Sequence, residues 1–144
     1  MDEILIRYLH FIGILIITAS LFTEHLLLKQ EMTPSEIKKL ARIDQFYGIA
    51  AIVVLIAGLI LWFWVGKPSA FYTRNFLFHI KLTLFLVLGI LSIYPSVFFM
   101  KNRKSKLDKI VVPNSIKILI RIELMILFLI PLLAVFMSRG IGMF

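Results

Sequence analysis

Two histidines and a lysine stand inside stretches of sequence that are otherwise apolar enough to cross a membrane. His79 and Lys81 follow Asn75 at the start of one such stretch, and His10 lies near the start of another. Ionisable side chains are costly in lipid, so they usually face the interior of a helical bundle and have a function there. Imidazoles on two separate helices could supply both axial ligands of a haem iron, or two of the four ligands of a divalent metal.

The two histidines fall at similar depths in their helices. His10 lies about six residues into the first apolar run and His79 about three into the third, which places them within one or two turns of one level. Lys81 points about 200° away from His79 around the same helix, although a long lysine can reach some way round. Arg74, Lys81 and Arg139 could hold an anionic group at this rim.

A second set of ionisable residues is expected toward the opposite membrane face, and it comprises Glu24, His25, Arg42, Asp44, Arg121 and Glu123. Glu24 follows His10 at a spacing that puts both near one face of the first helix, so this polar stripe is predicted to face inward. The set is nearly balanced in sign. We expect buried ion pairs of Glu24 or Glu123 with Arg42 or Arg121, and a proton path is the alternative.

The composition requires lipid as the main solvent of this chain. It has 144 residues, of which 60% are hydrophobic, and its mean hydropathy is +0.97. No soluble domain of this length hides so much apolar surface. The absence of cysteine excludes disulfides, iron–sulfur clusters and thiolate metal sites. The net charge of +8 fits a positively charged membrane face rather than nucleic-acid binding.

The apolar runs predict a single all-α domain over residues 1–144, an antiparallel up-down bundle with helices at about 4–28, 33–65, 76–100 and 115–138. Thr33, Pro34 and Glu36 have the types and spacing of a capping box with proline at the first helical position. Asn114 and Ser115 are expected to cap the fourth helix, and Arg139 and Gly140 to end it. The first apolar run lacks the basic start of a signal peptide and is expected to be a mature helix.

Charge in the connections predicts the orientation. The first and third connections carry most of the basic residues, whereas the second carries Lys67 and Arg74. By the positive-inside rule, loops one and three are cytoplasmic and both termini lie outside a bacterial inner membrane.

Four segments of the chain carry a resemblance: Arg42–Gly48, Asn75–Leu82, Ser92–Pro95 and Ile130–Gly140. In this order they resemble a family of small bacterial four-helix membrane proteins known as a domain of unknown function. The match covers nearly the whole chain. It implies the fold and the location, and it supplies no reaction.

More remotely, the layout is similar to that of the HemJ-type protoporphyrinogen oxidases. The residues that correspond are Leu9-His10, Arg42 with Tyr47-Gly48, Phe78-His79-Ile80-Lys81, and Arg121 with Glu123. This similarity implies His10, and His79 or Lys81, as contacts of haem b or a tetrapyrrole. In protoporphyrinogen oxidation of this type, Lys81, Arg42 or Glu123 would handle protons or propionates, and Arg139 would contact the cofactor at the rim where its position in the chain places it.

Three functions are therefore expected in descending order. The first is a haem-b redox protein, with His10 and His79 as iron ligands, that exchanges electrons with a quinone or a tetrapyrrole. The second is a non-enzymatic assembly subunit that forms a homodimer or joins a larger membrane complex. The third is a small transporter lined by the stripe from His10 to Glu24, although no inverted repeat is visible.

Overall fold

A computed structural model describes residues 2–65, 70 and 73–142, and Lys67 lies outside the described residues. Its long helices are α1 (Asp2–Leu27), α2 (Pro34–Ile60), α3 (Phe76–Asn102) and α4 (Asn114–Ser138). One π-helical turn, Leu61–Val65, continues α2. All four helices are long and apolar enough to span a bilayer, so the predicted fold class is confirmed.

The helices form a ring in chain order. α1 packs most extensively on α2 and α3 on α4, with smaller contacts between α2 and α3 and between α1 and α4. α1 and α3 therefore face each other diagonally across the bundle. Large apolar side chains on the outer surface, among them Met125 and Phe128, are exposed, as expected of a surface solvated by lipid.

A short antiparallel strand pair closes one end of the bundle. β1 (Glu31–Met32) pairs with β2 (Ile110–Val111). This pairing joins the connection between α1 and α2 to the connection between α3 and α4. Met32, Ile110 and Val112 are buried and continuous with the helix core. We call this the sheet end, and the opposite end, which carries both chain termini, the termini end. The two basic connections thus lie at one end, while the sidedness of that end stays a prediction.

The helix starts were predicted with mixed success. Thr33 and Glu36 form the expected capping box: the Glu36 backbone N–H donates to Thr33 Oγ1, and the Thr33 N–H to Glu36 Oε1. The predicted cap of α4 is wrong, because Asn114 is already helical and Pro113 precedes it without a side-chain cap. Gly140 ends α4 with φ +78, as the glycine there predicts.

Asn75 connects the start of α3 to the end of the chain. Its Oδ1 accepts the backbone N–H of Leu77 at 2.9 Å, and its Nδ2 donates to the carbonyl of Ile141 at 3.1 Å. The Phe76 N–H also donates to the carbonyl of Gly142. Gly142 has φ +91, and a Cβ there would approach Asn75 Oδ1 to 2.7 Å, so only glycine fits. These bonds hold α3 and α4 together at the termini end.

Candidate functional site

A cluster of acidic side chains lies in the bundle interior toward the sheet end. Glu24 and Glu123 are each 1% exposed, Asp44 is 9% exposed and Tyr47 is 4% exposed. They come from three helices: Glu24 from α1, Asp44 and Tyr47 from α2, and Glu123 from α4. We call these four residues the acid site.

The members of the acid site interact with one another. The Tyr47 hydroxyl donates to Glu123 Oε1 at 3.3 Å. Asp44 is the nearest ionisable neighbour of Glu24, and Glu123 lies within electrostatic range of both. Glu24 Oε1 is buried without a hydrogen-bond partner. Because ionised carboxylates only accept, Glu24 and its neighbour Asp44 can bond to each other only when one of them carries a proton.

Helix periodicity explains why these residues are buried. Glu24 shares its face of α1 with Ile17, Leu21 and Leu28, at the spacings of three and four residues that keep side chains on one face. In the same way, Asp44 and Tyr47 follow Leu40 on α2, and Glu123 follows Ile120 on α4. Although Glu24 lies in the last turn of α1, it is buried, at the end of the bundle where Met32, Ile110 and Val112 are also buried.

The predicted pairing of these acids with arginine is wrong. Arg42 and Arg121 are both exposed. The ion pairs found in residues 2–65, 70 and 73–142 are Arg7–Glu3, Lys29–Glu36 and Lys109–Glu31. None includes a member of the acid site. Arg42 lies two residues before Asp44 and Arg121 two residues before Glu123, a spacing that turns each arginine about 200° away from its acid.

The acid site is not arranged as a metal site. Within the described part of the chain, no three His, Cys, Asp or Glu residues lie close enough together to hold a metal ion. Ligands to a divalent metal converge within about 2.0–2.6 Å of the ion. What the arrangement can do is bind and release protons among carboxyl groups and one hydroxyl.

His10 faces the bundle interior at a different depth from the acid site, toward the termini end. Its Nδ1 lies 3.2 Å from the carbonyl oxygen of Val54 on α2, and its Cε1 is 3.4 Å from where a Cβ on Gly58 would stand. Because a carbonyl oxygen only accepts, Nδ1 carries the proton, and in the neutral imidazole Nε2 keeps its lone pair. A ligating histidine has this arrangement, with its other ring nitrogen fixed by a second group.

His79 does not meet His10. Its imidazole is exposed, and its Nε2 donates to the carbonyl of Thr73 at 2.8 Å, just before α3 begins. Lys81, on the opposite face of α3, is the residue that comes within electrostatic range of His10. Lys81 and Arg7 are thus the cations nearest in influence to His10, while His79 lies at the surface.

The remaining predicted residues lie at the periphery. Arg139 is exposed at the end of α4. His25 is half-buried, and its Nδ1 is buried without a hydrogen-bond partner among the described residues. Sequence reasoning missed Tyr47 as a site residue; it stands three residues after Asp44, which is a same-face spacing.

A buried polar interior surrounded by apolar helices defines an integral membrane protein of the four-helix class. The chain belongs to the family described as Predicted membrane protein (DUF2214), whose model matches residues 2–142. Among curated proteins and solved structures, nothing matches it. The remote similarity to the HemJ-type oxidases therefore stays a prediction.

Proposed function

We propose that this membrane protein binds and exchanges protons at the acid site. The observation that carries the proposal is the burial of Glu24, Asp44 and Glu123 from three helices, without a basic partner in the described part of the chain. The hydroxyl of Tyr47 extends the set of exchangeable protons.

The cost of burying charge supports this proposal over a structural role. Burying an ionised carboxylate away from water costs on the order of several kcal/mol in a real protein, even away from the centre of the bilayer. Three such anions together would add mutual repulsion. A bound proton removes both costs, and two facing carboxyl groups such as Glu24 and Asp44 can share one. If the site were only structural, apolar residues of similar volume would stabilise the fold as well as or better than these acids.

The acid site lies toward the sheet end, which the positive-inside rule predicts to be cytoplasmic. Protons would then exchange with the cytoplasm past the apolar cap formed by Met32, Ile110 and Val112. His25, which follows Glu24 in the chain, is half-buried, and its Nδ1 has no hydrogen-bond partner among the described residues.

A hydrophobic carbodiimide tests the proposal, because it reacts with protonated carboxyl groups inside lipid. In the intact protein in nanodiscs, we expect stable adducts on Glu24 or Glu123, mapped by mass spectrometry, with a yield that rises as the pH falls. Asp108, which is exposed, is the matched control and should react with a water-soluble carbodiimide instead. Absence of any adduct on Glu24, Asp44 and Glu123 at every pH would contradict the proposal.

A redox protein that holds haem b is the second candidate, and a single observation favours it. His10 has the orientation of a ligating histidine, with Nδ1 tied to Val54 and Nε2 free. His10 would hold the iron from one side, and the neighbouring Lys81 would contact the cofactor. Haem would supply one-electron chemistry with a quinone or a tetrapyrrole.

The absorption spectrum tests this second candidate. Protein purified after full haem supply should show a Soret band that His10→Ala abolishes and that His79→Ala leaves in place, since His79 faces away. Colourless wild-type protein would contradict haem binding and would leave the proposal for the acid site unaffected.

A further inference from the structure

We infer that the termini end holds a binding site for an amphipathic anion, that is, a carboxylate or phosphate attached to an apolar body. The group that would bind the anion is the ammonium of Lys81, which is half-buried on the interior face of α3. This site is separate from the acid site. Ser92 of α3 lies beside Tyr47, a member of the acid site, and Lys81 precedes Ser92 by eleven residues, or about 16 Å along the helix.

Lys81 has no anionic partner in the described part of the chain. Six of the eight acidic residues fall toward the sheet end: Glu24, Glu31, Glu36, Asp44, Asp108 and Glu123. The other two, Asp2 and Glu3, are exposed, and Glu3 binds Arg7. A cation held inside an apolar bundle without a counter-charge is costly, so an anion from outside the chain would stabilise it.

The surroundings of Lys81 are aromatic. Its Nζ lies 5.9 Å from the centroid of the Phe78 ring, a cation–π distance. Trp62 of the π-helical turn meets Phe78 edge-on at 4.7 Å, and Met137 packs against both. π-helical turns are frequent at functional sites. These side chains make the surroundings of the ammonium apolar, which is the complement of an amphipathic ligand.

Two further cations stand at the rim of this site. Arg74 precedes α3 and Arg139 ends α4, and both are exposed. The hydrogen bonds of Asn75 to Ile141 and of Phe76 to Gly142 bring these two helix ends together. An anion approaching the termini end therefore meets a positive rim before it reaches Lys81.

Trp62 can report the binding, because the chain has two tryptophans and Trp64→Phe leaves Trp62 as the single emitter. In nanodiscs of zwitterionic lipid, laurate should change the Trp62 emission saturably, whereas the neutral alcohol dodecanol should bind far more weakly. Titrating phosphatidylglycerol in place of laurate distinguishes a lipid phosphate from a free carboxylate as the natural source of the anion.

Lys81→Met should weaken the apparent affinity by about tenfold or more, as expected for loss of a charged hydrogen-bond partner. Lys81→Arg should retain binding and shows that the variant site still folds. Lys101→Met, in the last turn of the same helix, is the matched control and should bind like the wild type. Equal binding by Lys81→Met, equal binding of dodecanol, or no saturable response to either anion would overturn the inference.

Discussion

The two glutamates of the acid site have different surroundings. Glu123 accepts a hydrogen bond from Tyr47, while Glu24 Oε1 is buried without a partner. An unsatisfied buried acceptor costs about 1–3 kcal/mol, which a water molecule or a proton shared with the neighbouring Asp44 would recover. We therefore expect Glu24 to be the member that gains and loses the proton, and Tyr47 with Glu123 to hold the geometry.

The assignment of these roles predicts different effects for three substitutions. Tyr47→Phe removes the hydrogen bond to Glu123 and should lower the free energy of unfolding by about 1 kcal/mol. Glu24→Gln removes the proton but keeps the shape, so its stability should fall less than that of Glu24→Ala. Denaturation in mixed micelles measures all three, and a Glu24→Gln variant as unstable as Glu24→Ala would argue against an exchangeable proton.

A close approach of α1 and α2 depends on one glycine. A Cβ at Gly13 would lie 2.5 Å from Val54 Cγ2, whereas a Cβ at Gly48 would meet nothing within 4 Å. Gly13→Ala should therefore destabilise the protein by roughly 1–3 kcal/mol through overpacking. Gly48→Ala is the control and should be neutral or stabilising by up to about 1 kcal/mol. Equal effects in a thermal unfolding experiment would refute the packing argument.

At the level of single residues, the sequence predicted the important side chains more reliably than it predicted the directions in which they point. It predicted that Glu24 faces inward and raised the possibility of a proton path. It placed Arg42 and Arg121 in the interior with the acids, yet each stands two residues from its acid on the same helix. Residues at that spacing face opposite sides. The same geometry separates His79 from Lys81.

At the level of elements, the apolar runs predicted the four helices because lipid fixes both their length and their composition. The ends of helices were predicted correctly where a local sequence motif defines them, as at Thr33. The strand pair was not predicted, because two-residue strands are too short to show the alternation of apolar and polar residues. That pair matters for the site, since it adds buried apolar side chains at the same end of the bundle.

The starts of α2 and α4 allow a paired test of helix capping. Thr33 caps α2 through its side chain, whereas Asn114 of α4 makes no such bond. Thr33→Ala should cost about 0.5–2 kcal/mol of stability, and Asn114→Ala should cost little. Unfolding measured side by side checks this, and a larger loss for Asn114→Ala would contradict the assigned cap.

At the level of the whole molecule, the strand pair places the first and third connections at the same end, and their positive charge predicts that this end is cytoplasmic. The chain contains no cysteine, so single cysteines give a clean measurement. Lys104→Cys should react with a membrane-impermeant maleimide only after the cells are opened, whereas Arg74→Cys should react in intact cells. The reverse pattern would invert the orientation and would open the acid site to the outer side.

The central claim is that carboxyl groups in the bundle interior hold exchangeable protons. Infrared difference spectroscopy on the protein in nanodiscs, titrated with pH, measures the carbonyl stretch of protonated carboxyl groups directly. We predict such a band near neutral pH, and deuterium exchange should shift it. The band should be lost or displaced in Glu24→Gln. It should be unchanged in the control Glu36→Gln, because Glu36 binds Lys29 at the sheet end. A neutral-pH spectrum without any protonated carboxyl band that responds to Glu24→Gln, Asp44→Asn or Glu123→Gln would contradict the account.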